Sequence, residues 1–149
     1  MTSLQPTQLL NTEERSNQAV ALLKAGECVA LPTETVYGLA ADATNSDAVA
    51  KIFTAKGRPT NHPLIVHIPN QSHLHNWAKN VNKAAITLAD AFWPGPLTLI
   101  LNAKDDLNSP VTGGLPTIGL RVPAHPEFLA VLKQLNTGLA APSANRYKQ

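Results

Sequence analysis

Cysteine is almost missing from this sequence. Cys28 stands alone among 149 residues, which excludes an internal disulfide and a cysteine-built zinc cluster. A single cysteine suits a reducing compartment. Charge is scarce as well: 15% of residues are charged and the net charge is +2, too little for a protein that grips polyanions by bulk charge. Any anion site has to come from local placement of the 12 Lys and Arg residues. Aromatics make up 5% and do not alternate with basic residues, so a stacking platform for single-stranded nucleic acid is not indicated. Long apolar runs are absent. The stretch Pro96–Leu101 is far short of the ~20 residues of a membrane span. Residues 1–16 show neither a basic n-region nor an apolar h-region. The expectation is a cytoplasmic protein with no membrane partner. Neither Gly-x-x-x-x-Gly-Lys-Ser/Thr nor Gly-x-Gly-x-x-Gly occurs, so a P-loop and a dinucleotide fingerprint are excluded.

What is present is a globular composition with 44% apolar residues, and 12 prolines spread along the chain with no linker between them. Residues 1–149 are expected to form a single domain. Asn11 followed by Glu14 reads as a capping box, with a helix over 12–25 and Gly26 as its stop. Cys28–Leu31 reads as a buried strand and Pro32–Ala41 as loop or tight turn. Ser46 is expected to cap a second helix that ends before Gly57. Leu64–Ile68, Leu97–Leu101, Ile118–Val122 and Leu139–Ala141 read as strands. Ser72–Ala78, Lys83–Phe92 and Pro126–Leu135 read as helices, the middle one broken by Pro94-Gly95-Pro96. This alternation predicts an α/β domain: a twisted, mixed parallel and antiparallel sheet with helices packed on it.

Three segments could carry chemistry. Lys56 and Arg58 flank Gly57 at a helix end, and Pro59 stiffens the exit; two cations on such a turn can grip an oxyanion, or simply complement the helix dipole. Thr33, Thr35 and Tyr37 follow a strand end, the usual place for a crevice in an α/β sheet, though the segment also suits a polar turn. Pro142, Ser143 and Asn145 again follow a strand and offer donors to phosphate or base, or ordinary turn chemistry. His67 interrupts an apolar strand, facing a pocket or a polar surface. Arg121 lies between Leu120 and Val122, a setting in which Arg is rarely buried without an anion. Glu34 and Asp42 could position a metal or a water, but no two-carboxylate pair forms, and His73 and His75 point apart on a helix.

Taken in order, the motifs resemble a known family. They are Pro32-Thr33-Glu34-Thr35-Val36-Tyr37-Gly38-Leu39, Lys56-Gly57-Arg58-Pro59, His62-Pro63-Leu64-Ile65-Val66-His67-Ile68, Phe92-Trp93-Pro94-Gly95-Pro96-Leu97-Thr98-Leu99, Gly119-Leu120-Arg121-Val122-Pro123 and Ala141-Pro142-Ser143-Ala144-Asn145. From about Asn11 onward the chain is similar to the Sua5/YciO/YrdC family, and most to its short bacterial members. The resemblance implies a YrdC-like fold with a concave basic face. It also implies a nucleotidyltransferase activity: L-threonine, bicarbonate and ATP give threonylcarbamoyl-AMP and pyrophosphate, for the t6A37 modification of tRNA.

By the same resemblance Lys56 and Arg58 are the catalytic pair that engages phosphates and the threonine carboxylate. Ser143 and Asn145 stand opposite, beside Pro142. Thr33, Thr35 and Tyr37 line the pocket with His67 nearby, and Arg121 is a further anion contact. Mg2+ is expected with the ATP. Downstream tRNA threonylcarbamoyl-transfer proteins are implied partners, and contact with tRNA or double-stranded RNA goes with the same family. Family members continue past Pro-Ser-Ala-Asn with a Ser-Pro-Thr segment and further strands, whereas this sequence stops at Gln149. The expectation is therefore a domain lacking its C-terminal part, with an open sheet edge and less stability and activity than a longer form. The alternative is a non-catalytic nucleotide- or RNA-binding member. A hydrogenase-maturation carbamoyltransferase is disfavoured, because Cys28 alone cannot supply its zinc-finger cysteines.

Overall fold

The computed structural model describes residues 12–34, 36–107 and 109–144. The expected capping box at Asn11 lies outside these. Helix α1 spans Thr12–Lys24, and Gly26 beyond it takes φ 86°, the left-handed region that glycine enters without a Cβ penalty. β1 (Val29–Pro32) and β2 (Tyr37–Asp42) form an antiparallel hairpin, with Pro32 opposite Tyr37. This corrects the reading of Pro32–Ala41 as loop. The sequence Tyr-Gly-Leu-Ala-Ala-Asp carries no β-branched residue, and pairing on both sides makes it a strand.

Helix α2 (Ser46–Lys56) is capped by Asn45, not Ser46: the Asn45 side chain accepts from the Ala48 N–H at 3.1 Å. β3 (Ile65–His67) is shorter than expected. The helix expected over Ser72–Ala78 is a 3-10 turn, Gln71–His73, running into the one-turn α3 (Leu74–Trp77). Helix α4 (Lys83–Phe92), β4 (Leu99–Asn102), a 3-10 turn at Pro110–Thr112, β5 (Thr117–Arg121), α5 (Pro126–Leu135) and β6 (Leu139–Ala140) follow.

The six strands form a mixed sheet in the order β1-β2-β6-β3-β5-β4. β3 and β5 are parallel, and the other neighbours are antiparallel. Strand side chains alternate between the two faces. On one face Leu31, Ala40 and Leu139 pack under α1 and α5, against Leu23, Phe128, Val131 and Leu132. On the other, Ala41, Val66, Leu120 and Ala140 pack against Val49, Ile52 and Phe53 of α2 and against Trp77. α4 seats Ala85 and Ala89 on Leu99. Gly138 lets Trp77 lie close: a Cβ there would fall 2.6 Å from the Trp77 ring and 2.7 Å from Val66. No helix among the described residues is long and apolar enough to cross a membrane.

Candidate active site

The basic turn is built by the end of α2. Gly57 adopts φ 66°, ψ 28°, so the chain reverses sharply. The Gly57 and Arg58 N–H groups bond back to the Thr54 and Phe53 carbonyls at 3.2 and 3.0 Å, a Schellman closure. Lys56, on the last turn before the reversal, is turned inward and is only 3% exposed. Its ammonium donates to the Ser143 carbonyl at 2.7 Å, joining two motifs 87 residues apart. Burial, and secondly the charge of Arg58, pull the Lys56 ammonium below its ordinary pKa. Arg58 is half-buried. Its Nη2 donates to the Pro63 carbonyl at 2.8 Å, and its buried Nε has no partner among the described residues.

The Ala141–Ala144 segment runs beside the start of β2. Leu39 N–H donates to the Pro142 carbonyl at 2.8 Å, and Ala144 N–H donates to the Tyr37 carbonyl at 2.9 Å. Gly38 stands opposite Ser143. Ser143 is exposed, and its carbonyl rather than its hydroxyl makes the bond to Lys56. At the tip of the β1–β2 hairpin, Thr33 Oγ1 donates to the Val36 carbonyl and accepts from the Val36 N–H at 3.2 Å. Tyr37 is exposed.

Arg121 ends β5 and reaches the same hairpin tip. Its Nε donates to the Gly95 carbonyl at 2.8 Å, and its Nη2 forms an ion pair with Glu34. Burial alone would raise the Glu34 carboxyl; Arg121 and the backbone N–H groups of Glu34, Ala124 and His125 outweigh it and hold the group below the usual carboxylate range. His67, on β3, is the register partner of Arg121. Its ring is 4% exposed, with its centroid 5.0 Å from that of Phe128. Burial, helped by the Arg121 charge, lowers its pKa to about 4, so it is neutral at pH 7. The Ala141 backbone acts the other way, and Nδ1 is buried without a partner among the described residues.

A model of the Sua5/YciO/YrdC family, described as telomere recombination, matches residues 21–149. The chain belongs to the Sua5/YciO/YrdC family. It is 51% identical over 139 residues to the threonylcarbamoyl-AMP synthase of Bacillus subtilis, covering 93% of this chain and 40% of that protein. It is 44% identical over 144 residues to the threonylcarbamoyl-AMP synthase of Pyrococcus abyssi, covering 93% and 42%. The crystal structure of P. abyssi Sua5 complexed with L-threonine superposes with a TM-score of 0.86 at 43% identity, covering 93% of this chain and 40% of that one. The chain thus spans about two fifths of the length of these relatives.

In this Sua5/YciO/YrdC chain the fold brings Lys56 and Ser143 together, and sets His67 beside Arg121 on neighbouring strands. Thr35 and Asn145 lie outside the described residues. The Thr33 hydroxyl bonds within its own turn, and the Pro142 carbonyl bonds to β2. Two carboxylates read as metal or water positioners have other work. Glu34 pairs with Arg121, and Asp42 accepts from Thr44 N–H and Oγ1 at 2.9 and 2.6 Å. The Glu34–Arg121 pair was not foreseen, although an Arg in a strand had already implied an anion. Among the described residues no group of three His, Cys, Asp or Glu stands close enough to hold a metal ion. Size does not single out the basic turn either: a cleft of about 420 Å3 between α1, β1 and the start of α5 takes in Tyr37 but neither Lys56 nor Arg58.

Proposed function

We propose that this chain carries the threonylcarbamoyl-AMP-forming site of its family, a nucleotidyltransferase acting on L-threonine, bicarbonate and ATP. The observation that carries the reading is the basic turn. Lys56 is buried against the Ser143 segment, and beside it Arg58 has a buried Nε with no acceptor. An unmet buried donor costs ~1–3 kcal/mol, which an oxyanion of the ligand would recover. In this reading Lys56 and Arg58 neutralise charge on the ATP phosphates and the threonine carboxylate. Ser143 and Asn145 are assigned to the nucleotide, and Thr33, Thr35 and Tyr37 to the threonine and adenylate pocket, as the family resemblance implies. Arg121 adds a fork for a second oxyanion, with His67 beside it on β3.

The chemistry follows from these roles. The threonine amine adds to the carbon of bicarbonate, and water leaves. An oxygen of the resulting carbamate attacks the α-phosphorus of ATP, and the bond to the pyrophosphate oxygen breaks. Such a displacement needs in-line positioning and charge neutralisation, not a covalent nucleophile. Mg2+ is assigned to the substrate, as MgATP. The product is an activated acyl phosphate anhydride, and tRNA threonylcarbamoyl-transfer proteins would consume it in the cytoplasm.

The test is pyrophosphate release from ATP. It is expected to require L-threonine and bicarbonate together, and to prefer L-threonine over L-serine by the ~1–3 kcal/mol a methyl contributes. ATP binding with no pyrophosphate release, or release indifferent to L-threonine, overturns the reading.

A further inference from the structure

Glu34 is held more firmly than a surface counter-ion. Its Oε2 takes the Arg121 Nη2, and the Ala124 N–H lies 3.5 Å from the same oxygen. Backbone N–H groups of Glu34 and His125 also act on the carboxylate. The carboxylate is thus fixed to the turn that begins α5, while its own backbone sits on the β1–β2 hairpin tip. Arg121 is fixed at its other end by β5, which pairs with both β3 and β4. A guanidinium is planar and rigid, so anchoring two of its nitrogens sets the direction of the third. Nε is anchored on the Gly95 carbonyl and Nη2 on Glu34. Nη1 remains uncommitted among the described residues.

We propose that Glu34 is a positioning residue: with the Gly95 carbonyl it locks the Arg121 guanidinium so that Nη1 presents its hydrogens to an oxyanion of the ligand. This rests on the reading of the site given above, and adds to it the residue that aims Arg121. A simple counter-ion makes the opposite prediction. If Glu34 only neutralised Arg121, removing its charge would leave the guanidinium more positive, and anions would bind more tightly. If Glu34 aims the fork, removing it lets the guanidinium swing, and anions bind more weakly.

The experiment uses the 149-residue chain, isotopically labelled, as wild type, Glu34→Gln and Glu34→Asp. Two quantities are read by NMR: the exchange rate of the Arg121 Nε–H proton, and the affinities for L-threonine and for ATP measured separately. Glu34→Gln is expected to speed the exchange, and to weaken at least one ligand by about tenfold, the loss of one charge-assisted hydrogen bond. Glu34→Asp, with its carboxylate one methylene short, is expected to fall between. Weakening of L-threonine identifies the oxyanion as a carboxylate, and weakening of ATP identifies it as a phosphate. Unchanged or tighter binding of both ligands in a folded variant overturns the proposal, whatever the exchange rate does. If the wild-type chain binds neither ligand, the functional reading fails by itself. The exchange rate then decides on Glu34: faster exchange in Glu34→Gln supports the lock, and an unchanged rate refutes it. If Glu34→Gln does not fold, the same two readouts on Glu34→Asp decide.

Discussion

Lys56 and Arg121 both end a regular element, and both donate to a backbone carbonyl from a remote segment, Ser143 for one and Gly95 for the other. Their electrostatic surroundings differ. Arg121 has a carboxylate in contact, and that carboxylate is pinned by backbone N–H groups. Burial, and then the like charge of Arg58, pull the Lys56 ammonium below its ordinary pKa. One cation is aimed and partly neutralised by the protein itself. The other is buried with its pKa drawn down, a shift that an anionic ligand would oppose. A site for a molecule with both phosphates and a carboxylate can use each kind: a fixed fork for a planar group and concentrated charge for the phosphates.

The largest expected effect comes from removing the concentrated charge. Lys56→Met keeps the methylene bulk and should lower threonine-dependent pyrophosphate release by about 10²–10³-fold, the usual cost of losing a preorganised donor. Its thermal midpoint should match or exceed that of the wild type, because folding penalises the buried ammonium. A fall in midpoint with little loss of turnover would make Lys56 a structural link to Ser143, and the contrast with Arg121 would break.

His67, on the strand beside Arg121, gives a pH signature. Its folded pKa of about 4 lies below the ordinary 6.5. As pH falls through that window the unfolded chain binds a proton that the folded chain refuses. Stability is therefore lost between about pH 6.5 and 4, by up to ~3 kcal/mol. Urea melts at pH 7 and at pH 4.5 should show this loss, and His67→Gln should remove most of it. An equal loss in both proteins would assign it to the carboxylates.

Arg58→Lys keeps the charge and loses the fork. If the unmet Nε serves a ligand, turnover efficiency should fall ~10- to 150-fold, the ~1.5–3 kcal/mol of one charged hydrogen bond. A silent variant would mean that charge alone matters on the α2 side. The smallest effect is expected at Ser143. Because its carbonyl holds Lys56, Ser143→Ala should leave stability within about 0.5 kcal/mol. Losing its hydroxyl should cost turnover only ~2- to 10-fold. A large drop in thermal midpoint would show that the side chain, not the main chain, secures Lys56.

The basic turn was legible in sequence because its determinants are contiguous: a helical pattern, a glycine where the left-handed cap falls, and a proline after it. The mixed sheet was legible from the alternation of elements. The hairpin was not, since Tyr37–Asp42 becomes a strand through its neighbours β1 and β6 and not through its own residues. The pairing of Glu34 with Arg121 and of Lys56 with Ser143 also escaped local reading. Each spans 87 positions, and no local pattern marks such a distance. His67 was read as facing either a pocket or a polar surface. Its burial beside Phe128 depends on how α5 lies over the sheet.

The order of strands has a consequence for synthesis on the ribosome. β6, the last strand among the described residues, stands between β2 and β3 and pairs with both. Until Leu139 and Ala140 emerge, the nascent chain can form a β1–β2 hairpin and a separate β3–β5–β4 ribbon, with two unpaired edges facing each other. Those edges are exposed while everything between His67 and Leu139 is translated, at ~5–20 residues per second. Two residues then close the gap at once. A ribosome that stalls in α5 would release two halves of a sheet with nothing to splice them.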